Sequence, residues 1–134
     1  MSASPHTAQS ARARTIDLVR TGAIAGVAAA ICTTAVAAFS TAANVSLEVN
    51  SQAIPIGAFA WWTLVGTAVG VLLARLLQDR RRFTIVAVVA LGLSLIPAIV
   101  APDDVATKIV LVSAHLLAAA IVIPRLSRRL AVGS

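Results

Sequence analysis

The sequence predicts an all-α polytopic membrane protein: an antiparallel bundle of four transmembrane helices with both termini on the cytoplasmic side. Three observations predict it. The chain of 134 residues is 59% hydrophobic and only 12% charged, where a soluble domain carries about 25% charged residues. Its apolar residues gather into four runs of bilayer-spanning length. Its arginines stand in three groups, all on one side of those runs. A water-soluble fold of this composition would expose a large apolar surface, which marks a membrane contact or an aggregation hazard.

Residues 1–19 are polar, with Pro5, Arg12 and Arg14, and are expected to form a disordered cytoplasmic tail. The four-helix transmembrane domain is placed at 20–127. Span one, 22–43, runs without a charge. At 1.5 Å per residue it covers about 33 Å, enough for a hydrocarbon core of about 30 Å. Arginines ahead of it and Ser40-Thr41-Ala42 behind it loosely resemble a cleavable secretory signal. A run of about 22 residues exceeds the roughly 7–15 of a signal core, so the span is expected to be retained; cleavage would leave three. Span two, 54–77, opens on Pro55, favoured in a first helical turn. Span three, 83–100, is at the short end of the spanning range. Span four, 105–124, holds one charge near its start, Lys108, on a side chain long enough to snorkel to the interface. Residues 128–134 form a second basic tail.

The loops at 78–82 and 101–104 are tight, so neighbouring spans must run antiparallel. The longest loop, 44–53, is external. In it Val45, Leu47 and Val49 alternate with Ser46, Glu48 and Asn50, which predicts a short extended segment across the bundle mouth. Asn44-Val45-Ser46 matches a glycosylation sequon but abuts the membrane, and is read as chance.

The charges set the orientation. Arg12, Arg14 and Arg20 precede span one; Arg75 and Arg80 to Arg82 flank the second loop; Arg125, Arg128 and Arg129 follow span four. Lys108 alone lies opposite, with Glu48, Asp103 and Asp104, while Asp17 and Asp79 stand among the arginines. The two sides carry +8 and −2, which recovers the net +6. Positive residues in short loops stay cytoplasmic. The expected location is therefore the cell membrane, with the arginines against anionic lipid headgroups. Nucleic-acid binding is excluded, since no basic domain with interleaved aromatics exists. The single Cys32 excludes a two-cysteine redox mechanism.

Helices in lipid associate through close packing and hydrogen bonds. Gly22, Gly26, Ala30, Thr34, Ala38 and Ala42 recur at every fourth position of span one, and Gly66 and Gly70 stand in span two. Two such units in adjacent spans predict a close contact of spans one and two; the same stripe would also serve a second subunit. Trp61 or Trp62 suits the aromatic belt.

His115 is the most informative polar residue. It lies about ten residues, hence about 15 Å, into span four, where ionisable groups default to a functional hypothesis. Lys108 is on nearly the same helix face and closer to the outside. With Glu48, the preferred external interaction residue, and Asp103 and Asp104, they outline a polar track from an external mouth. A purely structural role for His115 stands beside this: a hydrogen bond to Thr33, Thr34, Thr63 or Thr67, which fall at similar depth. Asp103 and Asp104 are expected to cap span four. No cofactor is implied and no metal site, since the only other histidine is His6 in the tail.

Small multidrug transporters need a carboxylate in the first span, dual-topology fluoride channels a weak charge bias, and vitamin-K-epoxide-reductase-like enzymes paired cysteines; none fits. Val45-Ser46-Leu47-Glu48-Val49, Ala53-Ile54-Pro55, Thr63-Leu64-Val65-Gly66 and Ala106-Thr107-Lys108 through His115 to Ile121-Val122-Ile123-Pro124 resemble a family of small actinobacterial four-helix membrane proteins known only as a domain of unknown function. The resemblance covers about Arg14 to Leu130 and implies a four-helix fold without an activity. The expected function is non-enzymatic: an accessory or self-associating bundle with a homo-oligomeric or other membrane partner. The alternative is a small transporter or ligand-binding protein using Glu48, Lys108 and His115.

Overall fold

A computed structural model describes residues 5–132 as four helices and one small hairpin. In chain order these are α1 (Pro5–Ala42), β1 (Glu48–Val49), β2 (Gln52–Ala53), α2 (Ile56–Leu77), α3 (Arg80–Val100) and α4 (Val105–Val132). Each helix is long and apolar enough to cross a membrane, the makeup of a multi-pass membrane protein. Large apolar side chains, among them Ile31, Phe39, Leu76, Val89, Leu93 and Ile109, are exposed on their outer faces. In water such a surface would be a liability; against lipid it is ordinary.

The two tails differ from expectation. Residues 5–19 are not a disordered tail but the first turns of α1, which has 38 residues and so a length of about 57 Å. Pro5 suits a first helical turn, and the next turns are dominated by Ala, Gln, Arg and Leu without an interrupting glycine. Extending an existing helix avoids the cost of a new nucleus. Residues 1–4 lie outside the described residues. At the other end α4 runs on through Pro124 to Val132, so most of the expected tail 128–134 is helical and residues 133–134 lie outside the described residues. Pro124 cannot bond the carbonyl one turn back. Arg125 Nη1 donates to Ile121 O at 2.9 Å and Ser127 Oγ to Pro124 O at 3.1 Å. Leu126 and Leu130 are buried while Arg125, Arg128 and Arg129 are exposed, a helical spacing of four that lets the tail pack as well as carry charge.

α1 makes its main contacts with α2 and α4. Gly22 sits against Val71: a Cβ at Gly22 would overlap Val71 Cγ2. A Cβ at Gly26 would come within 2.8 Å of Thr67 Cγ2, and Thr33 Oγ1 lies 3.0 Å from Thr63 Oγ1. Residue numbers thus rise along α1 as they fall along α2. Ala25, Ala29 and Ala37 are fully buried and let the helices approach. At the level of Gly22 the seam continues into Leu126 of α4.

α2 ends on Gln78, whose φ of 50° turns the chain and whose N–H donates to Ala74 O. Asp79 then caps α3 by accepting from Arg82 N at 2.7 Å. α3 packs mainly on α4 and touches α2 lightly; Phe83 and Ala98 are its buried residues.

The loop between α1 and α2, expected as a short extended segment, forms a hairpin. Glu48 pairs with Ala53 and Val49 with Gln52. The turn holds Asn50 at φ 52° and Ser51 at φ 60°, the two left-handed positions of a type I′ turn. Leu47 is buried among Ala37, Phe59, Val110 and Ala114 and plugs this end of the helices.

Candidate functional site

A cavity of about 550 Å³ lies between α2, α3 and α4, within the range of small-molecule sites. Small residues on all three helices leave room for it beside larger apolar side chains such as Phe59, Trp62 and Leu91. Gly66 and Gly70 of α2 face Ala87 and Ala90 of α3 and Ala114 and Ala118 of α4. A Cβ at Gly66 would meet nothing within 4 Å, and one at Gly70 only an ordinary contact with Leu126 at 3.6 Å. The expected pairing of two glycine units is therefore corrected. Gly22 and Gly26 enter the α1–α2 seam, but α2 answers with Thr67 and Val71, and Gly66 and Gly70 turn toward the cavity. Rotation by one residue, about 100°, separates the two faces.

The wall is apolar except for Thr63, Thr67, Ser94 and His115. Thr67 Oγ1 donates to Thr63 O at 2.8 Å, and Ser94 Oγ to Leu91 O at 2.7 Å. His115 Nδ1 lies 2.8 Å from Leu111 O. A carbonyl only accepts, so Nδ1 carries the hydrogen and, in the neutral ring, Nε2 presents a lone pair. None of the four threonines expected as a partner for His115 holds it; the carbonyl of its own helix does. Thr33 and Thr63 bond each other instead. Thr34 Oγ1 is, among the described residues, the one sealed side-chain polar atom without a partner. Nε2 of His115, a residue of the cavity wall, also has no partner among the described residues.

The other expected site residues lie elsewhere. Glu48 is in the hairpin and Lys108 in the first turns of α4. Neither lines the cavity, and no hydrogen bond or ion pair among the described residues joins them to each other or to His115. Asp103 and Asp104 divide their duties. Asp104 caps α4, accepting from Thr107 N at 2.8 Å, whereas Asp103 Oδ2 accepts from Ser51 N in the hairpin at 2.9 Å. Thr107 Oγ1 shares its hydrogen between Ser46 O at 2.7 Å and Asp104 Oδ2 at 2.6 Å. The Thr107 hydroxyl and amide bonds hold the Asp104 carboxyl below its ordinary 3.8. Val49 also bridges to Pro102. Together these bonds latch the hairpin to α4.

Trp62 lines the cavity while Trp61 is exposed away from it. Cys32 is a half-buried free thiol. No three His, Cys, Asp or Glu side chains gather among the described residues. Sequence reasoning missed Ser94 and the α3 wall. Ala87, Ala90, Leu91 and Ser94 have the i, i+3, i+4, i+7 spacing of one helix face, a signal that would have found them.

Neither curated proteins nor solved structures offer a match to this chain. A family model does, over residues 13–132, the stretch that carries the resemblance to a domain of unknown function. The chain belongs to the family of unknown function DUF6069.

Proposed function

We propose that this chain is a non-catalytic, multi-pass protein of the cell membrane whose work is to bind an apolar ligand in the cavity between α2, α3 and α4. The observation that carries this reading is the cavity itself: about 550 Å³ with an almost wholly apolar wall contributed by three helices. An apolar void of that size among membrane helices has hydrocarbon, not water, as its natural filling. Catalysis finds no support, because His115 has no hydroxyl or carboxylate partner with which to form a nucleophile–base pair. The self-associating reading finds less support than ligand binding. Gly22, Gly26 and Ala30, the first half of the small-residue stripe, are buried within the chain.

In the proposed topology the helices form an antiparallel bundle with both termini and the α2–α3 turn in the cytoplasm. The contacts of Gly22 with Val71 and Leu126 group Arg20, Arg75 and Arg125 at one end. Those of Ser46 and Ser51 with Thr107 and Asp103 group the hairpin with the start of α4 at the other. The arginine-rich end then faces the cytoplasm, by the preference of positive loops for that side, beside anionic headgroups.

Native mass spectrometry of the full chain released directly from membranes tests the ligand reading. A non-protein mass held at one copy per chain, surviving collisional removal of bulk lipid, is the expected result. Bare chain alone after mild activation contradicts it.

A further inference from the structure

The hydrogen-bond inventory of the cavity assigns a ligand class, an inference that rests on the ligand-binding proposal. Apart from Trp62, whose indole N–H is a free donor, the polar side chains of the wall have given their hydrogens to the protein. Thr67 donates to Thr63 O, Ser94 to Leu91 O, and His115 Nδ1 to Leu111 O. Thr33 Oγ1 donates to Ala30 O at 3.2 Å. Thr33 Oγ1 and Thr63 Oγ1 are 3.0 Å apart across the α1–α2 seam, so these two hydroxyls are engaged with each other. The hydroxyls of Thr63 and Thr67 turn toward α1, so the unpaired acceptors left to the cavity are Ser94 Oγ and His115 Nε2, beside one donor, the indole N–H of Trp62.

We propose that the cavity binds an apolar molecule bearing a hydroxyl, a long-chain or polycyclic alcohol or phenol, whose O–H donates to Nε2 of His115. A ligand offering only carbonyl, ether or ester oxygens would leave Nε2 of His115 without a hydrogen. A cation would enter a wall that holds no carboxylate, and charge is costly at this depth. The hydroxyl supplies the one missing hydrogen, and the alanine and glycine walls take the hydrocarbon.

Trp62 lines the cavity and reports on it. The experiment uses the full chain with Trp61→Phe in nanodiscs of dioleoylphosphatidylcholine, a lipid without hydroxyl donors. The probes are 12-bromododecan-1-ol and its methyl ether, which differ in the donor alone. Saturable quenching of Trp62 by the alcohol, about tenfold tighter than by the ether, is expected for one added hydrogen bond in an apolar site. His115→Phe should erase that preference and leave the ether's affinity in place. Ser94→Ala, which removes an exposed acceptor without emptying the wall, should keep most of it. Equal saturable affinity for alcohol and ether overturns the donor rule while leaving the cavity as a hydrocarbon slot. A preference that survives unchanged in a folded His115→Phe chain overturns the role of Nε2. Non-saturable quenching by both probes overturns the ligand-binding reading itself.

Discussion

The α1–α2 seam and the α2–α3 gap are built from the same small residues and end in opposite states. In the seam each glycine meets a branched side chain: Gly22 takes Val71 and Gly26 takes Thr67. In the gap small meets small, with Gly66 and Gly70 across from Ala87 and Ala90. An unfilled cavity forfeits dispersion on every atom that lines it, so the second arrangement leaves surface in want of a filler. Small residues bring helices together only where the partner supplies the volume.

This contrast can be broken at the seam. Gly22→Leu forces a side chain into Val71 and Leu126 and should cost about 3 kcal/mol of stability, read as a lower denaturant midpoint in detergent micelles. Gly66→Leu, the same change on the cavity wall, should leave that midpoint nearly unmoved and abolish saturable probe quenching of Trp62 by filling the space. If both chains fall equally, the two regions do not differ as described.

The hairpin latch closes the sealed side at the end where α4 begins. Thr107→Val keeps the shape of a buried side chain but strands Ser46 O and Asp104, and should cost about 1–2 kcal/mol, measured by thermal unfolding. Acid probes the same latch. Bonds to Thr107 lower the Asp104 pKa in the folded chain. Its contribution is therefore present above the ordinary value of 3.8 and fades as pH falls below it. Amide protection in the hairpin, taken relative to the intrinsic exchange rate at each pH, should fall on acidification from pH 5 through that value, while protection in the α1–α2 seam should hold. The smallest effect belongs to Gly66→Ala. Its Cβ enters open space, so the gain in helix propensity should stabilise by about 0.5 kcal/mol.

Legibility in the sequence depends on where polarity contrast exists. The four apolar runs and an extended segment at 44–53 were legible, since charge and period-2 alternation mark them, whereas the turn at Asn50 and Ser51 that makes it a hairpin was not. Asp104 at the start of α4 was legible by its cap chemistry. The facing of α2 was not, because in lipid both sides of a helix are apolar and no contrast marks the buried one. Gly66 and Gly70 therefore have the spacing of a contact surface and line a cavity instead. The helical tails escaped because Arg12 and Arg129 look like solvated charge, whereas Leu126 and Leu130 at helical spacing hold the α4 end in place. His115 stood out by its depth, but its partner, a carbonyl of its own helix, leaves no sequence signal.

Both the seam and the cavity depend on the helices crossing a bilayer with the arginine-rich end inside, which cysteine labelling tests most directly. In a Cys32→Ser background, Ser51→Cys places a thiol in the hairpin turn and Gln78→Cys places one in the α2–α3 turn. A membrane-impermeant maleimide should label the first in intact cells and the second only after the membrane is opened. Labelling of Gln78→Cys in intact cells, or protection of Ser51→Cys, would contradict the account.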